Sequence, residues 1–152
     1  MKLVIVSDSH GSKDILDKIH LKEYDGDYFF HLGDAELPEY LLSPFVSVKG
    51  NCDFLSDFPN TRDIEIEGIK IHMEHGNNFM FNHSPGEYIK NQNCDIFLFG
   101  HTHIKLATKV GRTLLFNPGS VKKPRDGSKG SYLIINIDKN KNITHKFIEF
   151  DL

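Results

Sequence analysis

Residues 2–11, KLVIVSDSHG, set an unbroken apolar run against an abrupt polar end. A strand wetted on one face alternates apolar with polar residues. Leu3, Val4, Ile5 and Val6 do not alternate, so residues 2–7 read as a central strand covered on both faces. Asp8 and His10 follow at once, two ligand-type side chains in a loop. Ser12 then stands where a helix N-cap belongs, and Ile15, Leu16 and Ile19 share one helical face, which predicts a helix over residues 13–23.

The pattern recurs. DYFFHLGD (27–34) supplies a second strand stopping at Gly33, and FVSVKGNCD (45–53) a third ending at Gly50, with a short helix predicted between them. Strand and helix in alternation mark an α/β sheet. From residue 62 the rhythm changes, because RDIEIEGIKIHMEHG (62–76) alternates on both sides of Glu67 and Gly68 and reads as a hairpin. In SPGEYIKNQN (84–93), Ser84, Pro85 and Glu87 form a capping-box signature, predicting a helix over 85–92. DIFLFG (95–100) is another buried strand, and further hairpins follow about Gly111 and about the polar cluster at 138–142. The expected architecture is mixed α/β, two packed sheets with helices outside, in one domain over residues 1–152 with no repeat or linker.

Composition narrows the function. At 39% hydrophobic residues the chain can fill an ordinary core, and a net charge of -3 provides no basic field for a nucleic-acid polymer. The opening apolar run is too short for a signal peptide or membrane span, so a soluble, cytoplasmic protein with no membrane partner is expected. Cys52 and Cys94 cannot make a disulfide framework and fit a reducing compartment. Nine histidines and no tryptophan depart from routine usage and need an explanation.

LFGHTHI (98–104) begins to give one. His101 and His103, two apart, can converge on one object. Asp8 and His10 follow the first strand, Asp34 the second, Asn51 the third, and His75 the second arm of the first hairpin, each within two residues of a glycine. Sites in open α/β sheets form beyond the carboxyl ends of the strands, so these loops would deliver their seven candidate ligands to one rim. Imidazole with carboxylate and amide oxygen suits Mn, Fe, Ni or Zn, whereas calcium or magnesium prefers oxygen alone and structural zinc prefers thiolate. Seven ligands exceed the needs of one tetrahedral ion. Two divalent ions sharing a carboxylate use them well, in a centre suited to displacement at phosphorus.

SDSHG, LGDAE, KGNCD, EHGNN and GHTHI, in that order and followed by NPGS, resemble the calcineurin-like metallophosphoesterases, in particular the small bacterial and archaeal phosphodiesterases of the YfcE type. The resemblance implies a four-layer αββα sandwich of two mixed β-sheets flanked by helices. It implies that Asp8, His10 and His103 hold one ion, that Asn51, His75 and His101 hold the second, and that Asp34 bridges them. A hydroxide held between the ions would attack the phosphorus of a small phosphoester in line, with manganese the leading metal and Ni, Fe or Zn as alternatives. Asp34, Asn51 and His75, together with Cys52, would form the catalytic set. Relatives often form dimers or larger assemblies, so a homo-oligomer is a further expectation.

Two motifs depart from the wider superfamily. Many members carry histidine after the asparagine of the third motif, as an acid for the leaving oxygen; this chain has Cys52, as the YfcE subgroup does, and nearby cations are expected to favour its thiolate. In the fourth motif Asn77 and Asn78 follow Gly76 where many relatives have a second histidine, and Asn77 is a candidate substrate contact. Arg125, after NPGS, is another, since a guanidinium matches phosphate geometry; Lys122 and Lys123 read as solvated. Asn117 and Gly119 shape that turn. His31 reads as a core histidine, with a hydrogen bond towards the site as the lesser reading. His20, His72 and His145 read as surface or packing residues, His83 as a minor candidate for substrate contact, and Cys94 as a packed thiol. The alternatives to a diesterase are a phosphomonoesterase of the same mechanism and a catalytically weak scaffold for protein interaction, as a retromer subunit with this fold exemplifies.

Overall fold

A computed structural model of the protein describes residues 1–79, 84–127 and 129–151. His83 lies outside them. One sheet contains β1 (Lys2–Val6), β2 (Tyr28–His31), β3 (Val46–Ser47), β9 (Gly130–Ile137) and β10 (Ile143–Phe150), in the order β10-β9-β1-β2-β3. The other contains β4 (Thr61–Ile66), β5 (Ile69–Glu74), β6 (Ile96–Leu98), β7 (Lys105–Val110) and β8 (Thr113–Pro118), in the order β4-β5-β6-β8-β7. Both sheets are mixed. β1, β2 and β3 run parallel with β9 antiparallel to β1, while β5, β6 and β8 run parallel between antiparallel edge strands.

Side-chain alternation along the buried strands builds the layers. Leu3 and Ile5 of β1 join Leu133 and Ile135 of β9 and meet Ile71, Met73, Ile96, Leu98 and Phe116 of the opposing sheet, making the core between the sheets. Val4 and Val6 point the other way and pack with Tyr132 and Ile134 against Leu16 and Ile19 of α1 (Lys13–Lys22). On the far side, Phe97, Phe99 and Leu115 pack against Ile89 of α2 (Pro85–Asn91). The order is helix, sheet, sheet, helix. Burial on both faces is why Leu3–Val6 of β1 and all of β6 are apolar: each of these side chains enters one of two apolar layers, where complete burial is worth about 1.5–3 kcal/mol per large residue.

The short helix expected between β2 and β3 is a 3₁₀ turn over Glu39–Leu41. Two other local expectations change. Neither Ser12 nor Ser84 makes a side-chain capping hydrogen bond; at ψ of 75° and 72° both lie outside the extended conformation typical of a capping residue. His72 is not a surface or simple packing residue. It is buried in β5, with Nδ1 2.8 Å from Asp63 Oδ1 and Nε2 2.7 Å from Glu74 Oε2, and the Tyr88 hydroxyl of α2 donates to that same Glu74 oxygen at 2.6 Å. No helix among the described residues is long and apolar enough to cross a membrane.

Burial would lower the His72 pKa, but hydrogen bonds and charge from Glu74 and Asp63 outweigh it and raise it above 6.5. The stability this brings is complete below the unfolded value of about 6.5 and is lost as pH rises through the raised folded value. Replacing His72 by leucine removes both bonds and leaves buried Glu74 to Tyr88 alone, a cost of about 2–4 kcal/mol on the acid side. Denaturant unfolding across pH should show the gap between wild type and His72→Leu narrowing as pH increases.

Candidate metal centre

The loops after β1, β2, β3, β5 and β6 meet at one rim, and backbone bonds interlock them. Asp8 N donates to Gly33 O at 3.0 Å, His10 N to Asp34 O at 3.0 Å, and Gly100 N to His75 O at 2.9 Å. Of the seven candidate ligands, Asp8, His10, Asp34, His101 and His103 have positive φ, between 43° and 68°. That conformation costs roughly 1–2 kcal/mol per non-glycine residue, so strong local bonds must hold it. Asp53 supplies several. Its Oδ2 accepts from Asp34 N at 2.8 Å and Gly50 N at 2.7 Å, and its Oδ1 accepts from Glu36 N at 2.9 Å.

Two carboxylates form the floor. Asp8 is completely buried; its Oδ2 accepts from Ser7 Oγ at 2.6 Å and His101 N at 3.1 Å, while Asp34 Oδ1 accepts from Cys52 N at 2.8 Å. Two glycines permit this closeness. A Cβ on Gly50 would overlap Asp34 Oδ1, and one on Gly100 would overlap Ser7 Oγ and lie 2.8 Å from Asp8 Oδ2.

The imidazoles are oriented from behind. His75 Nδ1 donates to Leu32 O at 2.7 Å and His103 Nδ1 to Lys123 O at 2.6 Å, while His10 Nδ1 lies 2.8 Å from Glu36 Oε1. An acceptor on Nδ1 places the proton there and leaves Nε2 free to coordinate. The Nε2 atoms of His10 and His103 are 3.4 Å apart; His103 Nε2 is 3.2 Å from Asp8 Oδ1, and His75 Nε2 is 3.3 Å from Asp34 Oδ2. Ligand atoms of Asp8, His10 and His103, and again of Asp8, Asp34 and His75, lie within 4.8 Å of one another.

Asp8 Oδ1 and His75 Nε2 are buried and make no hydrogen bond among the described residues, the 3.2 Å approach of His103 lacking hydrogen-bond alignment. Lone pairs of nitrogen and carboxylate oxygen facing one another are stable only about a positive charge. The donor set therefore fits divalent cations of borderline hardness.

Local electrostatics agree. Burial opposes ionisation of both carboxyls, yet His103, His75 and Ser7 hold Asp8 below its ordinary value, and His75 with the Cys52 amide brings Asp34 to about 2. His75, which burial alone would lower, is raised by Asp34 and Asp8; burial and His75 lower His101.

The structure places the remaining candidates less uniformly. The His101 ring lies 5.1 Å from that of His75, centroid to centroid. Asn51 is exposed, its amide turned to Cys52 Sγ at 3.6 Å. At Cys52, burial and the Asp34 and Glu36 carboxylates push the thiol up in the protein alone. Arg125 is exposed beside His103, to whose carbonyl its N–H donates at 3.1 Å. Asn77 lines a pocket of about 240 Å³ with Lys49, Asn51, Phe54, Asn60 and Asn78. Asn117 donates to Gly100 O at 2.9 Å and Thr102 Oγ1 at 3.0 Å, binding the NPGS turn to the histidine loop.

His31 is a supporting residue of the site. Gly33 N donates to its Nδ1 at 3.1 Å, so Nε2 carries the proton and donates to Ser9 Oγ at 2.8 Å, between Asp8 and His10. Burial lowers its pKa to about 4 and keeps it neutral. Sequence reasoning passed over Asp53, Glu36, Ser7 and Ser120, the last donating from Oγ to Asp8 O at 2.8 Å. For Asp53 the available signal was a second acid within the GNCD motif.

The model of the calcineurin-like phosphoesterase superfamily domain matches residues 1–140. A probable metallophosphoesterase, YsnB of Bacillus subtilis strain 168, is 33% identical over 146 residues, covering 92% of this chain and 86% of its own. Phosphodiesterase YfcE of Escherichia coli K12 is 29% identical, with 91% and 89% covered. The crystal structure of a predicted phosphoesterase from Streptococcus pneumoniae TIGR4 superposes with a TM-score of 0.82 at 28% identity, covering 98% of this chain and 97% of that one. The chain belongs to the calcineurin-like phosphoesterase superfamily. It is a phosphoric ester hydrolase whose family implies divalent metal ions.

Gly100→Ala tests the close packing beneath Asp8. The added methyl group should displace Ser7 or Asp8, destabilise the protein by about 1–3 kcal/mol and weaken Mn²⁺ binding about tenfold or more, read by thermal unfolding and calorimetric titration.

Proposed function

We propose that the chain, acting as a single domain over residues 1–152, is a metal-dependent phosphodiesterase that hydrolyses a small phosphodiester with two divalent ions, manganese foremost. The observation that carries this reading is the convergence of Asp8, Asp34 and the Nε2 faces of His10, His75 and His103, with two buried ligand atoms lacking any hydrogen bond. Asp8, His10 and His103 hold one ion. His75, His101 and Asn51 would hold the other, with Asp34 shared by both; Asn51 would do so once its exposed amide turned away from Cys52. When bound, the ions supply hydroxide at neutral pH and positive charge for the phosphoryl oxygens.

The protein's own groups do the rest. Leu32 O, Lys123 O and Glu36 fix the imidazole tautomers, so the ligand nitrogens are aligned before substrate arrives. Arg125 approaches a phosphoryl oxygen from the neighbouring loop, and Asn77 contacts an ester substituent. At Cys52 no imidazole stands ready to protonate the leaving oxygen, so turnover is slow and favours esters whose leaving groups need no proton.

Metal-stripped protein given Mn, Ni, Zn or Mg separately should recover hydrolysis of nitrophenyl diesters best with Mn or Ni, and Asp34→Ala should lose about 10²-fold or more in kcat/KM. Uniform inactivity with every metal would favour the protein-interaction scaffold. Cys52→His should raise the rate on alkyl esters by roughly tenfold or more, with a smaller gain on nitrophenyl esters. Equal rates on alkyl esters would remove the leaving-group argument.

A further inference from the structure

The pocket around Asn77 opens beside the metal centre. Asn51 directly precedes Cys52, whose N–H binds Asp34, and Asn77 follows His75 by two residues, so the pocket wall continues the metal-site loops without a gap. Its chemistry differs from that of the centre. The side-chain amides of Asn60, Asn77 and Asn78 make no hydrogen bond among the described residues, and Lys49 makes no ion pair among them. Phe54, at the same pocket, is 86% exposed, although an aromatic ring of this size normally buries most of its surface. The one carboxylate in the wall, Asp53, is occupied by three backbone N–H groups.

We infer that this pocket is a subsite for the heteroaromatic base of a nucleoside phosphodiester; the inference rests on the phosphodiesterase reading and names its substrate class. An exposed ring beside carboxamides combines the two elements of base recognition. Stacking is worth about 1–3 kcal/mol per base, and each carboxamide both donates and accepts, matching the mixed edge of a nucleobase. An alkyl substituent would leave those amides unpaired, and a second phosphate would meet one cation among neutral groups. Lys49 adds a donor for a ring nitrogen or carbonyl oxygen. At about 240 Å³ the pocket takes one planar group, and the net charge of -3 offers no track for a polymer, so the substrate is of mono- or dinucleotide size.

The test measures binding, which is independent of turnover. Adenosine 5′-monophosphate and ribose 5-phosphate, which differ by the base alone, are titrated into Mn-loaded protein by calorimetry, with side-chain amide resonances followed by NMR. The nucleotide should bind at least tenfold more tightly and shift the Asn60 and Asn77 amides. The double variant Phe54→Ala/Asn60→Ala should bring its affinity down towards that of ribose 5-phosphate, and Phe54→Tyr, which keeps the ring, should retain the preference. Both altered side chains are exposed, and matched thermal unfolding confirms that the variants fold. Equal binding of the two probes by wild type, or a preference that survives in the double variant, overturns the subsite. A nucleotide preference together with inactivity on every diester would retain the subsite and remove the phosphodiesterase reading; diester turnover without the preference would do the reverse.

Discussion

The Asp53 carboxylate, receiving three backbone N–H groups from two loops, is the constraint on which the rest of the site depends. It holds Asp34 and Gly50 within reach of each other, and through them fixes the ends of β2 and β3. Gly50 presses against the Asp34 side chain so closely that only a residue without Cβ fits. Buried charge is normally costly, yet this carboxylate is compensated by oriented backbone dipoles and therefore favours one loop conformation over the alternatives. The left-handed backbone at five of the candidate ligands is tolerable because bonds of this kind over-determine it.

The two-sheet core provides the rigid base for those loops. Continuous apolar strands deliver side chains to both faces, so β1 and β6 are clamped between layers and their ends cannot drift. Asp8 and His101 each begin within three residues of such a strand. The imidazoles inherit that precision twice, through the backbone and through the acceptors on Nδ1. Lys123 reaches the site by its carbonyl rather than its ammonium, a role that does not depend on side-chain type.

Much of this was legible in the sequence, and the reasons differ by scale. The strands of both sheets, the hairpins and the two helices follow from periodicity, because burial on one or two faces leaves a direct imprint on residue order. The seven candidate ligands stood out because histidine, aspartate and asparagine after a glycine-punctuated strand are a chemical signal. The supports were not legible. Asp53, Glu36, Ser7 and Ser120 act on backbone atoms or behind another side chain, and such pairings carry no period. Ser12 and Ser84 carried the capping signature without the capping bond, since residue type cannot report the local ψ. The carboxylates that push the Cys52 thiol up, Asp34 and Glu36, come from another loop, which residue order does not report.

The antiparallel pairing of Lys2 with Asn136 and of Ile5 with Leu133 places β9 beside β1. During vectorial synthesis β1 and the Asp8 loop emerge well before β9, which follows every strand of the other sheet in the chain. Nascent β1 therefore waits with one edge unpaired until β9 has been made, so the rim ripens only after both sheets have been synthesised.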